Sequence, residues 1–293
     1  MSARTTAWRE TAADFAGSRG ALAAAITFAI VVAAAVFAPW LSPQNPYDLA
    51  QLDILDSKLP PGSPSSAGFT FLLGSDEQGR DMWSAMLHGL RISLGVGVAS
   101  TALALTLGTA AGLAAAWRGG WVDALLMRVV DLQLSFPAIL VALVLLAVLG
   151  QGIDKVVVAL VTVQWAYYAR TVRASALVEV QRGYIEAARC LALPGLRIVL
   201  RHLLPNCLPP LMVVATVQVA HAIALEATLS FLGLGMPATS PSLGLLIANG
   251  HAHLLSGKYW ISVYPGIALL VTLVAINLAG DRLRDVLDPR GTP

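Results

Sequence analysis

The sequence predicts an all-α fold, a polytopic membrane bundle of six transmembrane helices. Composition gives the class: 57% of residues are hydrophobic and 12% charged, with a mean hydropathy of +0.71. A soluble domain carries about 25% charged residues. Runs long enough to cross a bilayer recur along the chain. The basic residues are also unevenly placed: of the nineteen Lys and Arg, only Lys58, Arg80, Arg91, Lys155 and Lys258 fall on one predicted side. Positive charge collects in cytoplasmic loops, so the remainder mark the inside and both termini are expected in the cytoplasm. The net charge of +2 therefore reports orientation, and nucleic acid is not an expected partner.

Residues 1–20 carry Arg4, Arg9 and Arg19 and read as a cytoplasmic tail. Residues 21–41 form the first span. A cleaved signal peptide is the competing reading, disfavoured because its apolar core would be only about 7–15 residues. Residues 42–90 are rich in Pro and Asp and should lie outside, at the periplasmic or extracellular face, with lipid around the spans. Gly74–Asp81 predicts a turn and then a helix capped by Ser75 or Asp76, with acids in its first turn.

The membrane core is expected over residues 91–280, with a cytoplasmic loop at 177–206 and a tail at 281–293. Its second span covers 92–117. There Ser100, Ala104, Gly108, Gly112 and Ala116 recur every fourth residue, a small-residue stripe that predicts close helix packing. A short inner loop should occupy 118–131. The third span covers 132–149, with Pro137 near its inner end, and the fourth runs from 156 to about 176. The fifth (208–234) contains Gln218, His221 and Glu226. Ionisable groups at membrane depth normally face the bundle interior or a wet cavity, so these are candidate pathway or interior polar residues. The sixth covers 260–279.

Between the fourth and fifth spans, Gly183–Asn206 is too polar to cross a membrane. Tyr184–Leu193 predicts about two and a half helical turns, ended by Pro194-Gly195. The alanines Ala187, Ala188 and Ala192 would let another surface approach closely. From the residues alone this is either a docking knob for a cytoplasmic partner or a solvated loop helix.

No catalytic set stands out. His251 and His253 lack further ligands nearby, so no metal is expected. Gly250–Lys258 does not have phosphate-loop spacing, and Tyr259 stands where Ser or Thr is required. Cys190 and Cys207 fall in or beside the inner loop, where a disulfide is not expected.

Four ordered motifs carry a family resemblance. Glu186-Ala187-Ala188 followed by Leu204-Pro205-Asn206 resembles the "EAA" loop of permease subunits in binding-protein-dependent ABC importers. Gly74-Ser75-Asp76, Gly79-Arg80-Asp81 and Arg91-Ile92-Ser93-Leu94 are similar to the dipeptide, oligopeptide and nickel branch. So are Glu226 with Leu229–Gly235, and the tail Asn277–Pro289. The resemblance implies the type I importer permease fold in a bacterial cytoplasmic (inner) membrane. It implies a homologous permease partner, two ATP-binding subunits that hold ATP and magnesium, and an extracytoplasmic solute-binding protein. No cofactor is implied on this chain. It assigns coupling to the ATPase to Gly183, Tyr184, Glu186, Ala187, Ala188, Arg189 and Ala192. Two positions depart from the family: Ala192 stands where glycine is usual, so the helix is expected to run on to Pro194-Gly195, and Leu243 stands where tryptophan is frequent.

Di- and oligopeptides are the substrate class the resemblance implies, with nickel complexes, opines and glutathione-like compounds as alternatives. An ion-coupled secondary transporter using Glu226 would need more intramembrane charge than this chain offers. An intramembrane enzyme would need a nucleophile with its base, or a metal pair, at shared depth, and the sequence shows no such set.

Overall fold

The computed structural model describes residues 17–287, and they are predominantly helical. Arg4, Arg9 and the end of the expected C-terminal tail lie outside the described residues. The first helix, α1 (Arg19–Val36), is capped by Ser18, whose Oγ accepts from the Ala21 N–H at 3.4 Å. Its alanines Ala21, Ala24 and Ala35 turn inward, while Leu22, Ile26 and Ile30 stay exposed. A short α2 (Ala38–Leu41) follows, with Pro39 in its first turn, where no N–H is needed.

The polar segment between α2 and the next long helix folds into a compact cap rather than an open loop. A two-strand hairpin, β1 (Ser63–Pro64) and β2 (Thr70–Phe71), is antiparallel. The Asp56 carboxylate ties its turn, accepting from the Ser65 hydroxyl at 2.8 Å and the Ser66 N–H at 3.0 Å. Arg80 and Asp76 form a buried ion pair at 2.6 Å. Arg80 is therefore not a free outer charge but part of the cap's interior. Gly79 adopts φ +76°, and a side chain there would collide with the Asp53 carbonyl. Neither Ser75 nor Asp76 caps the following helix, contrary to expectation. Asp81 does, its Oδ2 accepting from the Ser84 N–H at 2.8 Å. Asp76 is already engaged by Arg80, and the Ser75 hydroxyl serves the Asp56 carbonyl and the Leu59 N–H.

That helix, α3 (Met82–Arg118), has 37 residues and starts ten positions before the expected span. At about 1.5 Å per residue it is longer than the roughly 30 Å hydrocarbon core requires. Its small-residue stripe is buried throughout, against α6 (Ile153–Val180). A Cβ on Gly108 would strike the Trp165 carbonyl, and one on Gly112 the Ala169 carbonyl. The stripe thus brings two backbones of this chain together.

Residues 118–131 are not the expected loop. Most of them form α4 (Gly120–Ser135), which meets α5 (Ala138–Leu149) at a bend of 91°. The cause is the Phe136-Pro137 step. Proline forces the preceding residue out of the helical region, and Phe136 sits at φ −98°, ψ 141°. The expected third span, for which Pro137 marked a tolerable kink, is therefore broken into two helices. α5 alone has 12 residues, too short to cross.

After α6 come the short α7 (Gly183–Cys190), α8 (Gly195–Ile198) and a π-helical turn at Val199–Leu203. The chain then enters α9 (Leu204–Phe231), which contains Pro209 and Pro210. The segment before the last long helix holds a helix, α10 (Leu243–His251), capped by Ser242. Buried Leu243 opens it. Its Gly244 lies against the Ala227 backbone of α9, and Gly250 against Ile261 of α11 (Trp260–Leu287). α11 runs without interruption past residue 279, so the expected inner tail begins as helix.

Among the described residues, four helices are long and apolar enough to cross a membrane: α1, α3, α11 and the stretch Gly195–Phe231. The bent pair α4–α5 would make a fifth. The expected fourth span coincides with α6, whose 28 residues give ample length. Gln164, Arg170 and Arg173 make it less apolar than the others, and its burial against α3 compensates.

Candidate functional site

The Gly183–Asn206 segment is a short helix and turn held against one end of the bundle. Ile185 and Ala188 are 0% and 5% exposed and enter the core formed by α3, α6 and α9, beside Val172, Ile198 and Leu203. The opposite face carries Tyr184, Glu186, Ala187, Arg189 and Cys190, all exposed. Ala188 therefore serves the internal contact, and Ala187 and Ala192 are the small residues left facing outward.

The helix ends at Cys190, earlier than expected. The Leu193 N–H bonds the Ala188 carbonyl at 3.2 Å and the Ala192 N–H bonds the Arg189 carbonyl at 2.9 Å. This pair of bonds is a Schellman cap, whose turn residue must be left-handed. Ala192 takes that place at φ +50°. The alanine does not extend the helix; it accepts the strained conformation usual for glycine, because the cap satisfies carbonyls that would otherwise be orphaned.

Three long helices anchor this unit. From α6, Glu179 accepts the Tyr184 hydroxyl proton. From α9, the Asn206 Nδ2 donates to the same phenol oxygen at 3.1 Å. From α3, Trp117 lies under the Arg189 guanidinium at 5.0 Å, a cation–π contact. Burial and then the neighbouring Glu179 carboxylate push the Tyr184 phenol up to about 12, so it remains a donor at neutral pH. Glu186 lies in the first turn, where the helix dipole favours an anion. Among the described residues its carboxylate has no hydrogen-bond or ion-pair partner. The same segment exposes Leu191 and Leu196, 74% and 71%, together with Arg182, Arg197 and Arg201. Exposed apolar side chains among charged ones have the composition of a protein-binding surface.

Sequence reasoning missed Trp117 and Glu179, and it singled out Asn206 only within the Leu204-Pro205-Asn206 motif, without its contact to Tyr184. Trp117, Glu179 and Asn206 lie far apart in the chain and meet only through the packing of α3, α6 and α9. It also missed two pins on α6. Arg173 donates to Asp123 of α4 at 2.6 Å, and Arg170 pairs with Asp131. Both carboxylates sat in a stretch read as loop, which hid their helical register.

Of the three polar residues of α9, Glu226 stands apart from Gln218 and His221. Glu226 is fully buried. Its Oε2 accepts from the Ser93 hydroxyl of α3 at 2.8 Å and its Oε1 from Ser230 at 2.7 Å. Glu226 thus ties α3 to α9. His221 is exposed on another face, and Gln218 is buried beneath it. The outer histidines diverge too: His253 pairs with Glu77, while His251 meets Phe231 edge-on at 6.0 Å. No group of three or more metal-ligating side chains occurs among the described residues.

Residues 104–292 match the family model described as the binding-protein-dependent transport system inner membrane component. Residues 6–61 match the N-terminal TM domain of oligopeptide transport permease C. A Brucella suis protein provisionally named a peptide transport system permease is 44% identical over 89% of this chain and 84% of its own length. The di/tripeptide transport system permease of Pseudomonas aeruginosa is 36% identical over 94% of this chain and 90% of its own. The glutathione transport system permease of Pectobacterium atrosepticum is 35% identical over 97% and 92%. Among solved structures, an inward-facing methionine ABC transporter aligns with a TM-score of 0.56 at 21% identity, covering 71% of this chain and 98% of that one. This last likeness bears on the fold alone.

Proposed function

The chain belongs to the inner membrane component family of binding-protein-dependent transport systems, and from that premise we propose that it forms half of the passage for di- and oligopeptides in an ATP-driven importer. The family is the permease component of ABC importers, working in a membrane complex with ATPase subunits and a binding protein. ATP hydrolysis belongs to those separate subunits, where ATP and magnesium are held.

In this reading the chain pairs with a homologous permease, and two ATP-binding subunits sit on the cytoplasmic side, the side of both termini and of α7. The exposed face of α7, with Gly183, Tyr184, Glu186, Ala187, Arg189 and the Ala192 turn, seats in one ATPase subunit. Residues 42–90 and α10 face the solute-binding protein. ATP binding favours the closed ATPase pair, which displaces α7, and the bundle is the two-state element that responds. One observation carries the reading: α7 is fastened to α3, α6 and α9 at once through Trp117, Glu179 and Asn206. A push on it reaches three long helices rather than bending a loop.

Peptides are favoured as substrate by the names of the Brucella and Pseudomonas relatives. The Pectobacterium relative keeps glutathione-like peptides as a second reading. The test is reconstitution of the complex in liposomes with its binding protein and radiolabelled alanyl-phenylalanine or glutathione. Uptake that requires internal ATP is the expected result. Uptake by this chain alone without ATP would instead make it a self-sufficient transporter.

A further inference from the structure

A groove of about 850 Å³ runs along α9, walled by α6 on one side and reached by Arg284 of α11 at one end. Such a volume is typical of small-molecule sites, roughly 300–1,000 Å³. Asn206, Pro210, Val213, Val217 and His221 follow one face of α9 at helical spacing. Its middle is apolar, and polar groups stand at the ends. Asn206 to Gln218 spans about 18 Å at 1.5 Å per residue, the length of about five extended residues.

Gln218 is the unusual part of the wall. It is 7% exposed, and its side-chain Nε2 has no hydrogen-bond partner among the described residues. Its own backbone carbonyl accepts from Gln164 at 3.3 Å, and Gln164 in turn accepts from Thr101 at 3.4 Å. These bonds fix the backbone and leave the side-chain donor idle. Buried donors are almost always paired, and an idle one asks for an acceptor. His221 lies one turn further on and is exposed.

We propose that this groove holds the travelling solute, with Gln218 donating to a carbonyl or carboxylate oxygen of a short peptide and the valines receiving its apolar side chain. The assignment rests on the peptide-importer reading. His221 borders the same end and adds a second polar contact. A helix of the partner permease lying in the groove would fill the apolar middle but has no need of the Gln218 donor.

The experiment uses the full complex in liposomes, with loaded binding protein outside, ATP inside and radiolabelled alanyl-phenylalanine as probe. It reads peptide molecules imported per ATP hydrolysed. Loss of one hydrogen bond to the solute predicts that Gln218→Leu lowers this ratio about tenfold. Gln218→Asn, which keeps a donor, should recover most of it. Val217→Trp, which obstructs the groove from its apolar side, should also lower the ratio and serves if Gln218→Leu fails to assemble. Wild-type ratios in both Gln218→Leu and Val217→Trp would overturn the assignment and leave the importer reading standing. A wild-type complex that hydrolyses ATP when the binding protein docks, yet imports no peptide, would overturn the peptide reading and this assignment together.

Discussion

Ala192 and Glu226 are the residues whose roles most need chemistry rather than pattern. Ala192 holds φ +50°, a conformation that costs a non-glycine residue about 1–2 kcal/mol. Glycine there would relieve that strain but gain freedom in the unfolded chain worth about 0.4–1 kcal/mol. Ala192→Gly should therefore stabilise by about 0.5 kcal/mol net, seen as a small rise in the thermal midpoint of the purified complex. Ala192→Val should lower it, because a β-branched residue is an outlier at positive φ. Equal midpoints for all three would mean that the Schellman turn is not formed. Glu226 satisfies the hydroxyls of Ser93 and Ser230. Glu226→Ala leaves both without that partner and opens a cavity, a loss of about 2–4 kcal/mol. Glu226→Gln keeps the volume and one acceptor and should cost less than half as much. If Glu226→Gln instead preserves stability but abolishes ATP-driven uptake, the residue acts in transport and not as a tie between α3 and α9.

At the scale of elements, the pairing of α3 with α6 is the part of the fold most legible in the sequence. The stripe from Ser100 to Ala116 names the face, and the structure supplies the partner. Gly108→Val would drive a side chain into the Trp165 carbonyl. Overpacking of this kind costs about 1–3 kcal/mol where the core can yield. Here the obstacle is backbone, so loss of the folded complex in detergent is the expected outcome. Gly95 on the same helix has open space around its Cβ position. Gly95→Ala should gain up to about 1 kcal/mol from helix propensity. If Gly108→Val assembles as well as Gly95→Ala, the α3–α6 contact is looser than described. The α4–α5 bend was less legible. Pro137 marked a kink, but nothing local distinguished a tolerated kink from a 91° turn. Once Pro137 has broken the helix, Asp123 and Asp131 hold α4 against Arg173 and Arg170 of α6, and those are tertiary contacts. The helix in the outer segment, α10, was not legible in the sequence for a similar reason. Its glycines, Gly244 and Gly250, look like turn residues, yet they allow α10 to lie against the backbones of α9 and α11.

For the whole molecule, hydropathy and the distribution of arginines conveyed a membrane bundle, and the EAA-type residues singled out the Gly183–Asn206 loop. What spacing did not reveal is how that loop is mounted. Its anchors, Trp117, Glu179 and Asn206, belong to three helices that meet only in the folded bundle. The central claim is that the outward face of α7 receives an ATPase subunit and passes its motion to those helices. The most direct test is mild-detergent purification of the tagged chain from its native host, followed by mass spectrometry of its companions. The wild-type chain should bring a second permease and the ATPase subunits. Glu186→Arg, which reverses charge on the exposed face without touching Ile185 or Ala188, should retain the permease and lose the ATPase subunits. Full retention of the ATPase subunits by Glu186→Arg, together with unchanged ATP-driven uptake, would contradict the account.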